Sequence, residues 1–229
     1  MRRLLYVPVI HDEVDIGSAG PALQQQSCLL AEERGWAKHQ ERAKQFWENI
    51  SAYLGSFASG GLNVYQDGLP AGGEIGKRIV AEAANRGSKN YQVVQELLDR
   101  GAELCQTEDP ALLLQEHRNL SALVNPREPG KADFDPEEYQ TRRDQLTEAR
   151  DKFIAGTIGA TLAEGESGIL FIGAYHRVAR YLAADISVEE VKDPETVQAY
   201  LDCLFLGRDQ ERLQELCQYL VSPIVPPAS

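Results

Sequence analysis

Two short apolar runs constrain this chain more than anything else in it: Leu4 to Ile10 near the start, and Gly168 to Gly173 within GILFIGAYHRV. Neither alternates apolar with polar residues, so each reads as a strand covered on both faces, as in a parallel or mixed sheet between helical layers. Each run also gives way to a histidine, His11 directly after the first and His176 just beyond the second. Pro8 sits inside the first run and cannot donate to a ladder, which weighs against a strand there.

Between the runs, helix and strand signals alternate. Pro21 to Tyr53 turns helical, with Trp36, Phe46, Trp47, Ile50 and Leu54 supplying part of an apolar stripe. The Gly60-Gly61 pair separates it from a short strand, Leu62 to Gln66, which ends at Asp67-Gly68-Leu69-Pro70. Helical patterns follow at Glu74 to Asn85 and Tyr91 to Arg100, the second capped by Ser88, and a strand is expected at Ala102 to Gln106. Three helices are predicted to start on an N-cap aspartate followed by proline: Asp109-Pro110, Asp135-Pro136 and Asp193-Pro194. Glu138 gives the middle one a near capping box. In the long helix from Asp135 to Ala163, Leu146, Ala149, Phe153, Ile154, Ile158 and Leu162 form one stripe, and Arg150 lies inside it. Ser187 to Lys192 reads as an edge strand, and Pro194 to Leu220 as two further helices. Strands alternating with helices predict a three-layer α/β fold, its sheet largely parallel and covered by helices on both faces. One domain over residues 1–229 is expected, with a mobile loop near 125–134 and a frayed tail near 222–229.

The 229 residues, 43% of them hydrophobic, suffice for a substantial core. A formal charge of −12 has the wrong sign for attraction to nucleic acid or to anionic membranes. No run approaches the roughly 20 apolar residues of a membrane helix, and His11 interrupts the opening run too early for a signal peptide. Cys28, Cys105, Cys203 and Cys217 contain no C-x-x-C pair. Neither a zinc knuckle nor a disulfide scaffold is indicated, and reduced thiols in a cytoplasmic protein are expected.

In open α/β sheets ligands bind beyond the carboxyl ends of the strands. The reactive residues expected there are His11, Asp67, Glu108 and His176, a mixed nitrogen and oxygen set suited to a divalent transition metal such as manganese, cobalt or zinc. Such a metal makes a nucleophile of its water near neutral pH. Arg150, facing inward, needs an anionic partner once desolvated; it would hold one of the carboxylates or stabilise an oxyanion. Blander roles stand beside these. Asp67 suits the D-G-L-P turn itself, and Glu108 suits the acidic first turn of the helix after it. His39 and His117 read as helix-surface residues without a role, and Asp12, Glu13 and Asp15 as solvated neighbours of His11.

The segment from Glu148 to Leu182, EARDKFIAGTIGATLAEGESGILFIGAYHRVARYL, resembles the C-terminal signature of the superfamily that includes the Tiki and TraB proteins, the haem-binding lipoprotein ChaN and the erythromycin esterases. Glu148, Arg150, Asp151, Gly173 and His176 take the matching positions. The N-terminal counterpart reads Pro8-Val9-Ile10-His11, with proline where the motif has glycine, and Asp67 stands where glutamate is usual. The resemblance implies an α/β fold whose two histidines converge in one cleft. It also implies one of several activities: metal-dependent peptidase, esterase or haem binder.

Three functions follow as expectations. The first is a metal-assisted hydrolase of peptide or ester bonds in a small-molecule or peptide substrate: His11, His176, Arg150 and Glu108 catalytic, and His11, His176 and Asp67 holding the metal. The second is a non-catalytic protein that binds a small ligand or haem in the same cleft, with Tyr6, Tyr65 and Tyr175 as stacking surfaces or an axial oxygen. The third is an assembly protein, a homodimer joined through the helix Asp209 to Val221.

Overall fold

The computed structural model describes residues 1–10, 33–57, 60–124, 136–206 and 209–225. His11, Cys28, the loop near 125–134 and the end of the tail lie outside the described residues. The strands are β1 (Arg2–Val9), β2 (Leu62–Gln66), β3 (Glu103–Cys105), β4 (Ser167–Gly173) and β5 (Ile186–Glu190). They form one parallel sheet in the order β3-β2-β4-β1-β5. The helices are α1 (Glu33–Gly55), α2 (Gly73–Asn85), α3 (Lys89–Asp99), α4 (Pro110–Val124), α5 (Pro136–Thr161), α6 (Pro194–Leu206) and α7 (Gln210–Val221), with a 3-10 turn at Val178–Tyr181. The fold is thus the expected three-layer α/β arrangement.

The pleat sends alternate strand residues into two separate cores. On one face Leu5, Val7, Val9, Val64, Ile169 and Phe171 pack against residues of α1, α2, α3, α6 and α7. On the other, Leu4, Tyr6, Tyr65, Leu170 and Ile172 meet Ile154, Ala155 and Ile158 of α5, Leu162 just after it, and Val178. Chain direction explains the division. From β1 through β2 to β3 the chain crosses the sheet one way; from β3 through β4 to β5 it returns. With right-handed crossovers throughout, reversing direction swaps the face that the connection covers. β4 therefore stands beside β2 and β1, whose connections leave on the opposite face, the arrangement in which a ligand crevice is expected at the C-terminal end of the strands.

Pro8 is accommodated by a shortage of partner. The Tyr6 carbonyl accepts from Val191 N at 2.9 Å on the β5 side, and pairing with β5 ends at Tyr6 opposite Glu190. Residues two apart face the same neighbour, so the donor position of Pro8 faces the β5 side, above the point where β5 has stopped. On its β4 side the strand stays in register to Val9.

Local signals hold where a cap dictates the turn. Ser88 Oγ accepts from Tyr91 N at 3.3 Å, and Asp109 and Asp193 cap the helices that begin at Pro110 and Pro194. His39 requires a correction: it lies on the buried side of α1, 1% exposed, with Nδ1 at 2.8 Å from the Tyr200 hydroxyl. Its polar neighbours in the sequence concealed a position that faces α6. In α7, Leu216, Cys217 and Leu220 are turned into the core, so the apolar face considered for an interface is used within the chain.

Helix α5 has 26 residues, about 39 Å at the α-helical rise. β4, with 7, spans only about 23 Å. The second half of α5 packs on the sheet, while residues 141–145 are exposed and overhang its C-terminal edge. Ile154, Ile158 and Leu162 are the apolar anchors of this layer. Truncating Ile158 to alanine is expected to cost about 2–5 kcal/mol, through lost transfer energy and a cavity that a single covering helix closes poorly. Urea unfolding would measure it.

Candidate functional site

At the crevice, side chains from the turns and loops after β2, β3 and β4, and from α4, meet around Arg150 of α5. Its guanidinium, 4% exposed, donates through Nη2 to Asp67 Oδ1 at 2.7 Å and to Glu108 Oε1 at 2.5 Å. Nε reaches Glu108 Oε2 at 3.2 Å, and Nη1 reaches Glu116 Oε1 at 2.7 Å. Burial alone would lower the arginine pKa, yet Asp67, Glu108 and Glu116 together raise it. The cation is fixed at every accessible pH.

Asp67 links this arginine to β4. Gly68, at φ 74°, makes the turn after β2, and the Asp67 carboxylate then spans the gap, Oδ2 accepting from Gly173 N at 3.0 Å. A Cβ on Gly173 would stand 3.2 Å from that oxygen, so glycine is what lets the carboxylate sit so close to the strand. Glu108 does not serve the dipole of α4. Thr107 N and Glu108 N both donate to the Leu69 carbonyl, which turns the Glu108 side chain inward, fully buried, onto Arg150.

His176 follows β4 in a tight turn and is 7% exposed. Its Nδ1 lies 2.5 Å from Asp151 Oδ1, and Asp151 Oδ2 accepts from Arg177 N at 2.7 Å. A carboxylate already accepting from a backbone N–H leaves Nδ1 as the donor, so the Nε2 lone pair faces the crevice, 3.9 Å from Asp67 Oδ2. Arg177 braces the turn, its guanidinium donating to the carbonyls of Ala174 and His176, each at 2.9 Å, and to Gln198.

Of the residues singled out by sequence, Asp67, Glu108, Arg150 and His176 are brought together, while His11 lies outside the described residues. Tyr175, 46% exposed, donates its hydroxyl to Asp202 Oδ1 at 2.8 Å. Tyr6 is buried beneath the His176 turn, and the Tyr65 hydroxyl pairs with Thr161 at the far end of α5, away from the crevice. Sequence reasoning gave no role to Asp151, Glu116 or Arg177. Asp151 carried two signals: it takes a matching position in the resemblance from Glu148 to Leu182, and it precedes Ile154 and Ala155 by three and four residues and so belongs to the buried side of α5. Among the described residues no group of three or more histidine, cysteine, aspartate or glutamate side chains is arranged to hold a metal ion, and no helix is long and apolar enough to cross a membrane. A depression of about 320 Å³ between α1 and α3, lined by Ser51, Leu54, Val93 and Arg100, belongs to other elements.

The site thus belongs to the class of strand-end crevices in three-layer α/β proteins. Comparisons with protein-family models, with curated proteins and with solved structures gave no match to this chain.

Four carboxylates face one guanidinium and one imidazole, and proton affinities rise accordingly. Burial, reinforced by the charge of Asp67, outweighs Arg150 and pushes Glu108 from its ordinary 4.5 up to about 7. For His176, burial opposes the charged form, but the charge of Asp67 and the hydrogen bond to Asp151 prevail and raise it above 6.5. Both groups hold protons in the folded state that the unfolded chain releases, so their contribution is present at low pH and lost as pH rises. Stability is expected to fall between pH 5 and pH 8, by up to about 3 kcal/mol from Glu108. Urea midpoints across that range would show it, and Glu108→Gln should flatten the part of the slope below pH 7.

Proposed function

We propose that the chain is a hydrolase of ester or peptide bonds, related to the TraB and Tiki superfamily, working in the crevice above β2 and β4. The observation that carries this reading is the Asp151–His176 pair: a buried carboxylate fixes the imidazole tautomer and leaves Nε2 aimed at the crevice beside a fixed cation. Proton removal from an attacking water or hydroxyl is the natural task of such a nitrogen, and a partner like Asp151 stabilises the imidazolium that forms. Arg150 offers charge stabilisation to a developing oxyanion. Glu108, holding its proton up to near neutral pH, keeps the carboxylates from overwhelming that cation.

A divalent metal, manganese, cobalt or zinc, fits the donor set in part. Nε2 of His176 and Oδ2 of Asp67, 3.9 Å apart, lie within the span of two bonds of about 2 Å each. His176 and Asp67 would hold it together with His11, and a metal so bound lowers the pKa of its water. Asp151 would then orient the ligating imidazole from behind. The haem alternative draws less support, since a macrocycle needs open space over Nε2 and His176 is 7% exposed.

Hydrolysis of p-nitrophenyl esters and of a peptide library tests the proposal. His176→Ala should lower kcat/KM by about 10²–10⁴-fold and Asp151→Asn by at least about tenfold. The rate should rise with pH along a limb displaced above the ordinary imidazole value, because His176 must lose its proton to act. Wild-type rates in His176→Ala would sink the assignment. Metal content of untagged protein, compared with a His11→Ala/His176→Ala variant, tests the metal separately: equal trace metal in both would remove it and leave the base intact.

A further inference from the structure

Helix α4 is unusual among the layers. Within its described side chains, Ala111 to Asn119, no residue is buried, and Leu114 is 49% exposed. Its described side chains reach the crevice through the ion pair from Glu116 to Arg150 Nη1 at 2.7 Å. The two partners differ sharply: the Arg150 side chain is 4% exposed and Glu116 37%. Arg150 keeps Asp67 and Glu108 on its other nitrogens, so Glu116 is the one carboxylate of the set that reaches the guanidinium from the solvent side.

We infer that Glu116 occupies a carboxylate-binding seat on Arg150 Nη1, and that a carboxylate-bearing ligand takes this seat by displacing Glu116 and the helix that carries it. Exchanging one carboxylate for another leaves the local charge unchanged, which matters where Asp67, Glu108 and Asp151 would oppose any added anion. Because Glu116 is tethered to the same chain, it competes at high effective concentration, and a free carboxylate must overcome it. The guanidinium is held by its other partners and pays little reorganisation on exchange. The inference deepens the reading of this crevice as a hydrolase site by giving its substrate an acidic group close to the reacting bond. The seat itself depends only on Arg150 and Glu116.

Titration of the folded protein with sodium acetate at constant ionic strength, followed by the NMR signals of the arginine side chains, tests it. Glu116→Gln and Glu116→Ala should each bind acetate roughly tenfold or more tightly than wild type. Amide exchange over Ala111 to Asn119 should be faster in both variants and slowest in wild type. Acetate affinity equal in wild type and both variants would overturn the inference. Two variants guard against a fold defect in either one. Acetate binding is read without any hydrolysis, so a failed hydrolase assignment and a failed seat give different results.

Discussion

The structure turns on one desolvated charge. A guanidinium taken out of water is costly unless its donors find acceptors in good geometry, and Arg150 makes four hydrogen bonds to three different parts of the chain: the turn after β2, the loop after β3, and α4. The first two segments are also joined directly, Thr107 N and Glu108 N donating to the Leu69 carbonyl, and the arginine ties α4 and α5 to that pair. Removing it would leave Asp67 and Glu108 facing one another with no cation between them, a larger loss than any single contact in the crevice.

The consequence reaches the core under α5. Arg150 and Asp151 lie between Leu146 and Ile154 on the same helix, so the side that fills the space over β2, β4 and β1 also presents the ionic groups. Rotating α5 by one residue, about 100°, would carry charge into the apolar layer and leucine into the crevice. The ion network and the apolar stripe thus enforce the same helix orientation, and each makes the other more specific.

Much of this was legible in the sequence, and the exceptions have physical causes. Continuous apolar runs announced strands buried on both faces, and the Asp-Pro pairs marked helix starts, because both signals are local. Arg150 was legible as inward-facing because helical periodicity fixes direction. Its partners were harder to find: Glu108 and Asp67 each had an adequate local role, as a helix-start acid and a turn residue, and only the tertiary fold shows both carboxylates turned to the same cation. Glu116 lies in LLLQEHRNL, where nothing distinguishes it from a solvated acid. His39 was misjudged for the reverse reason, since a polar neighbourhood in sequence says little about which side of a helix meets another helix.

Pro8 gains a different meaning from its place in the sheet. A central strand normally offers hydrogen-bonding groups to both neighbours along its whole length, and an unpaired stretch near the rim invites more backbone to join. With no N–H at Pro8, β5 gains little by growing past Glu190, and no other segment finds a full ladder on that side of β1. The proline acts as a stop on sheet growth: among the described residues, pairing on that side of β1 ends at Tyr6 opposite Glu190.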